Sequence, residues 1–108
     1  CEVIATLVLV FIIICFSSKG NCCDPKHFKF GLAALGPIPV TLLIIALGMS
    51  LGGPTGYAMN PARDLSPRIA HAICMKGDND WAYAWVPVLG PMVGGIIAGL
   101  CGAALHQL

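Results

Sequence analysis

Gly53-Pro54-Thr55-Gly56-Tyr57-Ala58-Met59-Asn60-Pro61-Ala62-Arg63-Asp64-Leu65-Ser66-Pro67-Arg68 is a polar stretch, rich in helix breakers, set between long apolar runs. Asn60 followed by Pro61 reads as a helix start. The Asn side-chain oxygen can cap a free backbone N–H, and Pro suits the first helical position, where its missing N–H had no partner. Upstream, the glycines and Pro54 predict irregular backbone over residues 52–59. The helix is expected to begin at Asn60 and run to about Ile73, with Asn60 and Arg63 on one face of its first turn. At ~1.5 Å per residue it would cover roughly half of a bilayer, so it must enter and turn back.

The chain has 108 residues, 57% of them hydrophobic and 10% charged, with a mean hydropathy of +0.85. That leaves too little polar surface to cover a soluble globule, and an all-α membrane protein is expected. A net charge of +1 without a basic cluster excludes a nucleic-acid partner. Residues 2–18, 31–51 and 84–105 read as three transmembrane helices in the lipid bilayer, with the re-entrant loop and half-helix over residues 52–73. These make residues 1–108 one unit. Because the chain opens inside an apolar run without Met, an N-terminal part is expected to be missing. Lys19, Lys26 and Lys29 outweigh Lys76, which stands against Asp78 and Asp80, so loop 19–29 is expected on the cytoplasmic side. Cys22 and Cys23 with His27 lack the second ligand pair that zinc spacing demands, and neither a metal nor a cofactor is expected.

Irregular backbone at membrane depth must be packed in protein or line a water-filled path, because lipid satisfies no N–H or C=O. The second alternative predicts a pore. Free carbonyls would offer acceptors there, and the half-helix would direct its positive dipole end toward the membrane centre. Cations would meet an adverse potential at that end and again at Arg63, which stays charged. Placing Arg63 in mid-membrane costs ~2.5–3.5 kcal/mol on insertion scales, which marks it as a functional candidate. The bland alternative is a buried ion pair with Asp64 or another acid. Asp64 and Arg68, at i and i+4, are expected to pair with each other, and Pro67 frees the Arg63 carbonyl. Glu2 fits either an interfacial residue or a buried carboxylate accepting hydrogen bonds from re-entrant N–H groups. His71 and His106 read as interfacial, and Trp81, Tyr83 and Trp85 as an aromatic belt. Gly90, Gly94, Ala98 and Gly102 form one row of small residues, with Gly95, Gly99 and Ala103 beside it, suited to close helix packing. No nucleophile–base pair stands out, and no enzyme is expected.

The run Gly56-Tyr57-Ala58-Met59-Asn60-Pro61-Ala62-Arg63-Asp64 resembles the second Asn-Pro-Ala signature of the major intrinsic proteins, in its aquaglyceroporin form. The resemblance extends over residues 2–105. It implies one half of an aquaporin-like inverted-repeat channel whose two half-helices meet at the membrane centre, with four channels in a homotetramer in the plasma membrane. The implied function is passive passage of glycerol, other small uncharged solutes and water, with ions and protons excluded. The missing N-terminal half of the same chain would complete the pore. In that frame Asn60 is the central donor, and Pro61 and Ala62 pack against the missing motif. Arg63 and Tyr57 form the outer constriction, while Gly56, Tyr57 and Ala58 present backbone carbonyls along the path. Gly48 falls where water-selective members carry histidine, leaving width for a polyol, and Glu2 matches the buried glutamate that braces the re-entrant loop. Asp64, Arg68, Pro87 and Val88 stand at positions that separate the glycerol branch from the water branch. Val88 departs from the more usual Leu or Ile, and the connector 75–83 lacks the Gly-Trp-Gly of many glycerol members. The rivals are a water-selective channel, which calls for a bulkier polar side chain at Gly48, and a truncated non-conducting half-channel that acts by binding full-length subunits.

Overall fold

A computed structural model describes residues 1–17, 35–75 and 77–106, the last by its backbone alone. Expectations for residues 19–29, including Cys22, Cys23 and His27, for residues 31–34, for Lys76 and for the His106 side chain lie outside the described residues. The described chain forms four helices, α1 (Glu2–Phe16), α2 (Ile38–Thr55), α3 (Pro61–Cys74) and α4 (Val86–His106). Among the described residues there is no strand.

The apolar helices owe little to intrinsic propensity. The α1 sequence EVIATLVLVFIIICF is dominated by β-branched residues, which lose side-chain freedom in a helix. In lipid, though, a helix is how an isolated apolar segment satisfies its own backbone. With 18 and 21 residues, α2 and α4 are long and apolar enough to cross a membrane. α1, with 15 residues, is shorter. Only α3 is strongly amphipathic, and none of its residues is fully buried.

Helix α4 packs along α1 through its first row of small residues. A Cβ on Gly90 would fall 2.7 Å from Glu2 Cβ, and one on Gly94 would fall 2.4 Å from the Val3 carbonyl oxygen. One on Gly102 would lie 3.0 Å from Ile14, and Ala98 between them is fully buried. The adjacent row faces away: among the described residues nothing lies within 4 Å of a Cβ on Gly95 or Gly99. A small apolar cluster of Ala5, Leu47 and Met59, flanked by Val8, Leu9, Leu43 and Leu51, ties α2 and the re-entrant loop to α1. Ile38, Leu42, Ile45 and Met49 of α2 are exposed.

The structure corrects the expected boundaries. Helix does not stop before Gly52: α2 continues through Gly52, Gly53 and Pro54 to Thr55. Pro54 stands in the last turn, and Gly56 closes the helix in the left-handed region, φ 71, with its N–H reaching the Gly52 carbonyl at 2.8 Å. The irregular segment therefore spans residues 56–60 and not 52–59. At its other end α2 begins at Ile38, after Pro37 and with Pro39 in the first turn, where a missing N–H is harmless. α4 begins at Val86, two residues later than expected, after a run of turns in which Ala84 donates to the Trp81 carbonyl at 3.2 Å and Val86 to that of Tyr83 at 3.0 Å.

Candidate functional site

The site is built on residues 56–60, three of them in the left-handed region. Gly56, Tyr57 and Met59 have φ of 71, 45 and 49, and Asn60 is extended at φ −159, ψ 124. Left-handed conformations at Tyr57 and Met59 cost about 1–3 kcal/mol each, and persist only where surrounding contacts over-determine them. Here those contacts come from Glu2, whose side chain is 1% exposed. Its Oε1 accepts hydrogen bonds from Thr55 Oγ1 at 2.7 Å and the Ala58 N–H at 3.2 Å, and its Oε2 accepts from the Met59 N–H at 2.7 Å. The alternating backbone turns neighbouring N–H groups toward one side, a concavity suited to an anion, and the carboxylate of α1 fills it. Of the two placements the sequence leaves open for Glu2, the structure has the buried one. The close approach of Gly90 to Glu2 Cβ lets α4 press against this residue from behind.

Beyond the loop, α3 starts as its cap dictates. Asn60 Oδ1 accepts from the Ala62 N–H at 2.9 Å, which commits the oxygen and leaves the side-chain Nδ2–H groups to donate elsewhere. Asn60 and Ala62 are exposed and Pro61 is half-buried. One turn on, Arg63 Nη1 donates to the Tyr57 carbonyl at 3.3 Å, and its guanidinium carbon sits 4.9 Å from the centroid of the Tyr57 ring. This is cation–π range. Asp64 does not neutralise Arg63. It pairs with Arg68 in a two-pronged contact, Nε to Oδ2 at 2.9 Å and Nη2 to Oδ1 at 3.0 Å. Among the described residues no carboxylate pairs with Arg63.

Arg63 and Tyr57 border an open groove of about 510 Å³ with Ile44, Ile45, Gly48 and Met49 of α2. One wall is aliphatic and aromatic, and the other carries a guanidinium with free donors. Such a groove suits a small neutral molecule with carbon on one side and hydroxyls on the other. Ala58 is buried and Gly56 exposed, and among the described residues no protein donor reaches either carbonyl oxygen.

Three features were not read from the sequence. The first is Gly52: a Cβ there would lie 2.5 Å from Tyr57 Cδ1, so the tyrosine ring packs against bare helix backbone. The visible signal was a second glycine one turn after Gly48. The second is a clasp at the outer end of α3. Arg68 Nη1 donates to the carbonyls of Asn79 and, at 2.9 Å, Asp80, while His71 Nδ1 pairs with Asn79 Oδ1. His71 is exposed, as an interfacial residue would be, but it is tied to the connector. A second open groove of about 410 Å³ lies here, between Asp64 and Arg68 on one side and Asp78 and Asp80 on the other. The third is Tyr83, expected in an aromatic belt with Trp81 and Trp85. Those two are exposed, whereas the Tyr83 hydroxyl is buried without a hydrogen-bond partner among the described residues. Burial, followed by the negative charges of Glu2 and Asp64, pushes its phenol above the ordinary value. Pro87, in the first turn of α4, is fully buried and Val88 half-buried.

Comparison with known proteins agrees with this architecture. Residues 1–101 match the family described as "Major intrinsic protein". The chain is 56% identical over 102 residues to "Glycerol uptake facilitator protein 3" of Lactiplantibacillus plantarum, covering 92% of this chain and 38% of that protein. It is 51% identical over 102 residues to "Glycerol uptake facilitator protein" of Bacillus subtilis, covering 92% and 34%. It is 41% identical over 106 residues to human "Aquaporin-9", covering 92% and 32%. The chain thus spans about a third of the length of these relatives. No solved structure matches it. With the match running from the buried glutamate through the capped half-helix to the last span, this chain belongs to the major intrinsic protein family.

Proposed function

We propose that the chain is the C-terminal half of a passive channel for glycerol and other small uncharged solutes, which also passes water and excludes ions and protons. The observation that carries this reading is the groove in which Arg63, with no acid partner among the described residues, faces the Tyr57 ring and the bare backbone at Gly48. A polyol would lay its carbons on Ile44, Ile45 and Tyr57, and give its hydroxyls to Arg63 and then to the Nδ2 of Asn60. Gly56, Tyr57 and Ala58 would contribute carbonyl acceptors. Conduction needs only aligned partners and a steric limit. A cation would meet the positive end of α3 and the Arg63 charge together. The kinship with proteins named glycerol uptake facilitators supports the same solute.

In this reading an N-terminal half of the same chain brings the matching half-helix to Pro61 and Ala62, and four channels form a homotetramer in the plasma membrane with loop 19–29 in the cytoplasm. Asp64, Arg68, Pro87 and Val88 shape the outer mouth in the manner of the glycerol branch. The test is osmotic swelling of proteoliposomes carrying the full-length channel and its Gly48→His variant. The wild type is expected to pass glycerol and water, and the variant to lose glycerol flux by about tenfold or more while keeping water flux. Unchanged glycerol flux in the variant, with water flux reduced, would remove Gly48 from the constriction.

A further inference from the structure

We infer that Gly52, which stands outside the groove lining, is the positioning residue that sets the width of the constriction through the ring of Tyr57. The inference rests on the channel reading above. Tyr57 lies over two turns of α2, and the two glycines beneath it meet the ring differently. A Cβ on Gly48 would lie 3.7–3.8 Å from Cγ, Cδ2 and Cε2, ordinary van der Waals contact. A Cβ on Gly52 would lie 2.5 Å from Cδ1 and 3.4 Å from both of its ring neighbours, Cγ and Cε1, a head-on collision with the ring edge. Gly53, in the same turn, has nothing among the described residues within 4 Å of its Cβ position.

The ring has little freedom to evade a methyl group at residue 52. Its backbone is held at φ 45, directly after the left-handed Gly56, and the next two N–H groups are bonded to the buried Glu2 carboxylate. α2 backbone closes one side of the ring, and the side open to it is the groove shared with Arg63. A methyl at residue 52 therefore moves the ring by about 1 Å into the groove, because contacts that short sit on the steep repulsive wall. The same shift disturbs the 4.9 Å stacking of the Arg63 guanidinium on the ring. Gly48 leaves room for the solute, and Gly52 fixes the wall opposite. Glycerol, wider than water, feels the narrowing first.

The experiment measures glycerol and water permeability in proteoliposomes of the full-length channel, as wild type, Gly52→Ala, Gly53→Ala, Tyr57→Ala and Gly52→Ala with Tyr57→Ala. The readout is the glycerol-to-water permeability ratio, which a loss of assembled channels leaves unchanged because both fluxes fall together. Gly52→Ala is expected to lower the ratio at least about fivefold, as a steric limit requires. Gly53→Ala, which makes the same gain in helix propensity, is expected to keep the wild-type ratio. In the Tyr57→Ala background the Gly52→Ala change is expected to have no further effect, the signature of a single shared contact. A conducting wild type whose ratio survives Gly52→Ala, or a double variant still lowered relative to Tyr57→Ala, overturns the inference and leaves the channel reading standing. If Gly52→Ala alone does not assemble, the double variant decides: assembly with the Tyr57→Ala ratio supports the contact, and failure of both overturns it. A wild type that passes no glycerol overturns the channel reading and this inference with it.

Discussion

The two ends of the re-entrant segment are held by opposite chemistries. At the inner end a single buried carboxylate, Glu2, accepts from one half-buried hydroxyl and from two backbone N–H groups withdrawn from water. At the outer end a half-buried arginine, Arg68, donates to Asp64 and to two connector carbonyls, with the exposed His71–Asn79 pair beside it. Each has several hydrogen bonds, yet they differ in what replaces a lost bond. Water can reach the outer clasp, so its bonds are worth the small net difference between protein and solvent partners. No such substitute reaches the inner end, where an orphaned buried group bears its full desolvation cost. The inner anchor fixes the shape that presents Asn60, Arg63 and Tyr57, whereas the outer one ties α3 to the connector.

Glu2→Ala should separate the two ends most strongly. It strands the buried Ala58 and Met59 N–H groups, at about 1–3 kcal/mol for each, and releases the half-buried Thr55 hydroxyl. Thermal unfolding of the full-length channel in detergent is expected to shift down by several degrees, and glycerol flux per channel to fall about twentyfold or more as the left-handed residues relax. An inner end as tolerant as the outer would leave both near wild type.

Gly90→Ala approaches the same anchor from behind, with its new Cβ 2.7 Å from Glu2 Cβ. A smaller loss of stability is expected, and combined with Glu2→Gly, which removes the Cβ that it meets, it should add less than its separate effect, because the two changes share one contact. Full additivity would mean that Gly90 acts on the helix pair and not on the anchor.

Arg68→Ala, at the outer clasp, is expected to cost roughly 1 kcal/mol in the same unfolding measurement, since an ion pair that keeps partial contact with water, 13% and 18% of its two side chains, loses less than a sealed one. Glycerol flux should change by less than about threefold. His71→Ala is the smallest step, within about 0.5 kcal/mol of wild type, as befits an exposed pair. An outer variant that matched Glu2→Ala would erase the distinction.

What the sequence disclosed divides along the same line. The Asn60 cap and the Asp64–Arg68 pair were legible because each bond spans two to four residues within one helix, where spacing alone fixes geometry. The Glu2 bonds cross 53 to 57 residues, so local pattern left two placements equally open. The end of α2 was misread because Gly and Pro punctuate helices by rules learned in water. An apolar span instead keeps its backbone bonded internally for as long as it can, and α2 does so up to the left-handed Gly56. The two glycine rows of α4 were visible, but which one meets α1 depends on tertiary packing. Gly52 was hidden for a related reason: its contact with Tyr57 exists only once the backbone at residue 57 has turned to φ 45.

Amide hydrogen exchange at Ala58 and Met59, in the full-length channel held in lipid nanodiscs, tests the central claim that one buried carboxylate shapes the loop. In the wild type both amides are expected to exchange at least about a hundredfold more slowly than in Glu2→Gln, which keeps one acceptor oxygen where the two N–H groups bond to separate oxygens, while the α1 and α4 amides change little. Equal rates at Ala58 and Met59 in the two proteins would contradict it.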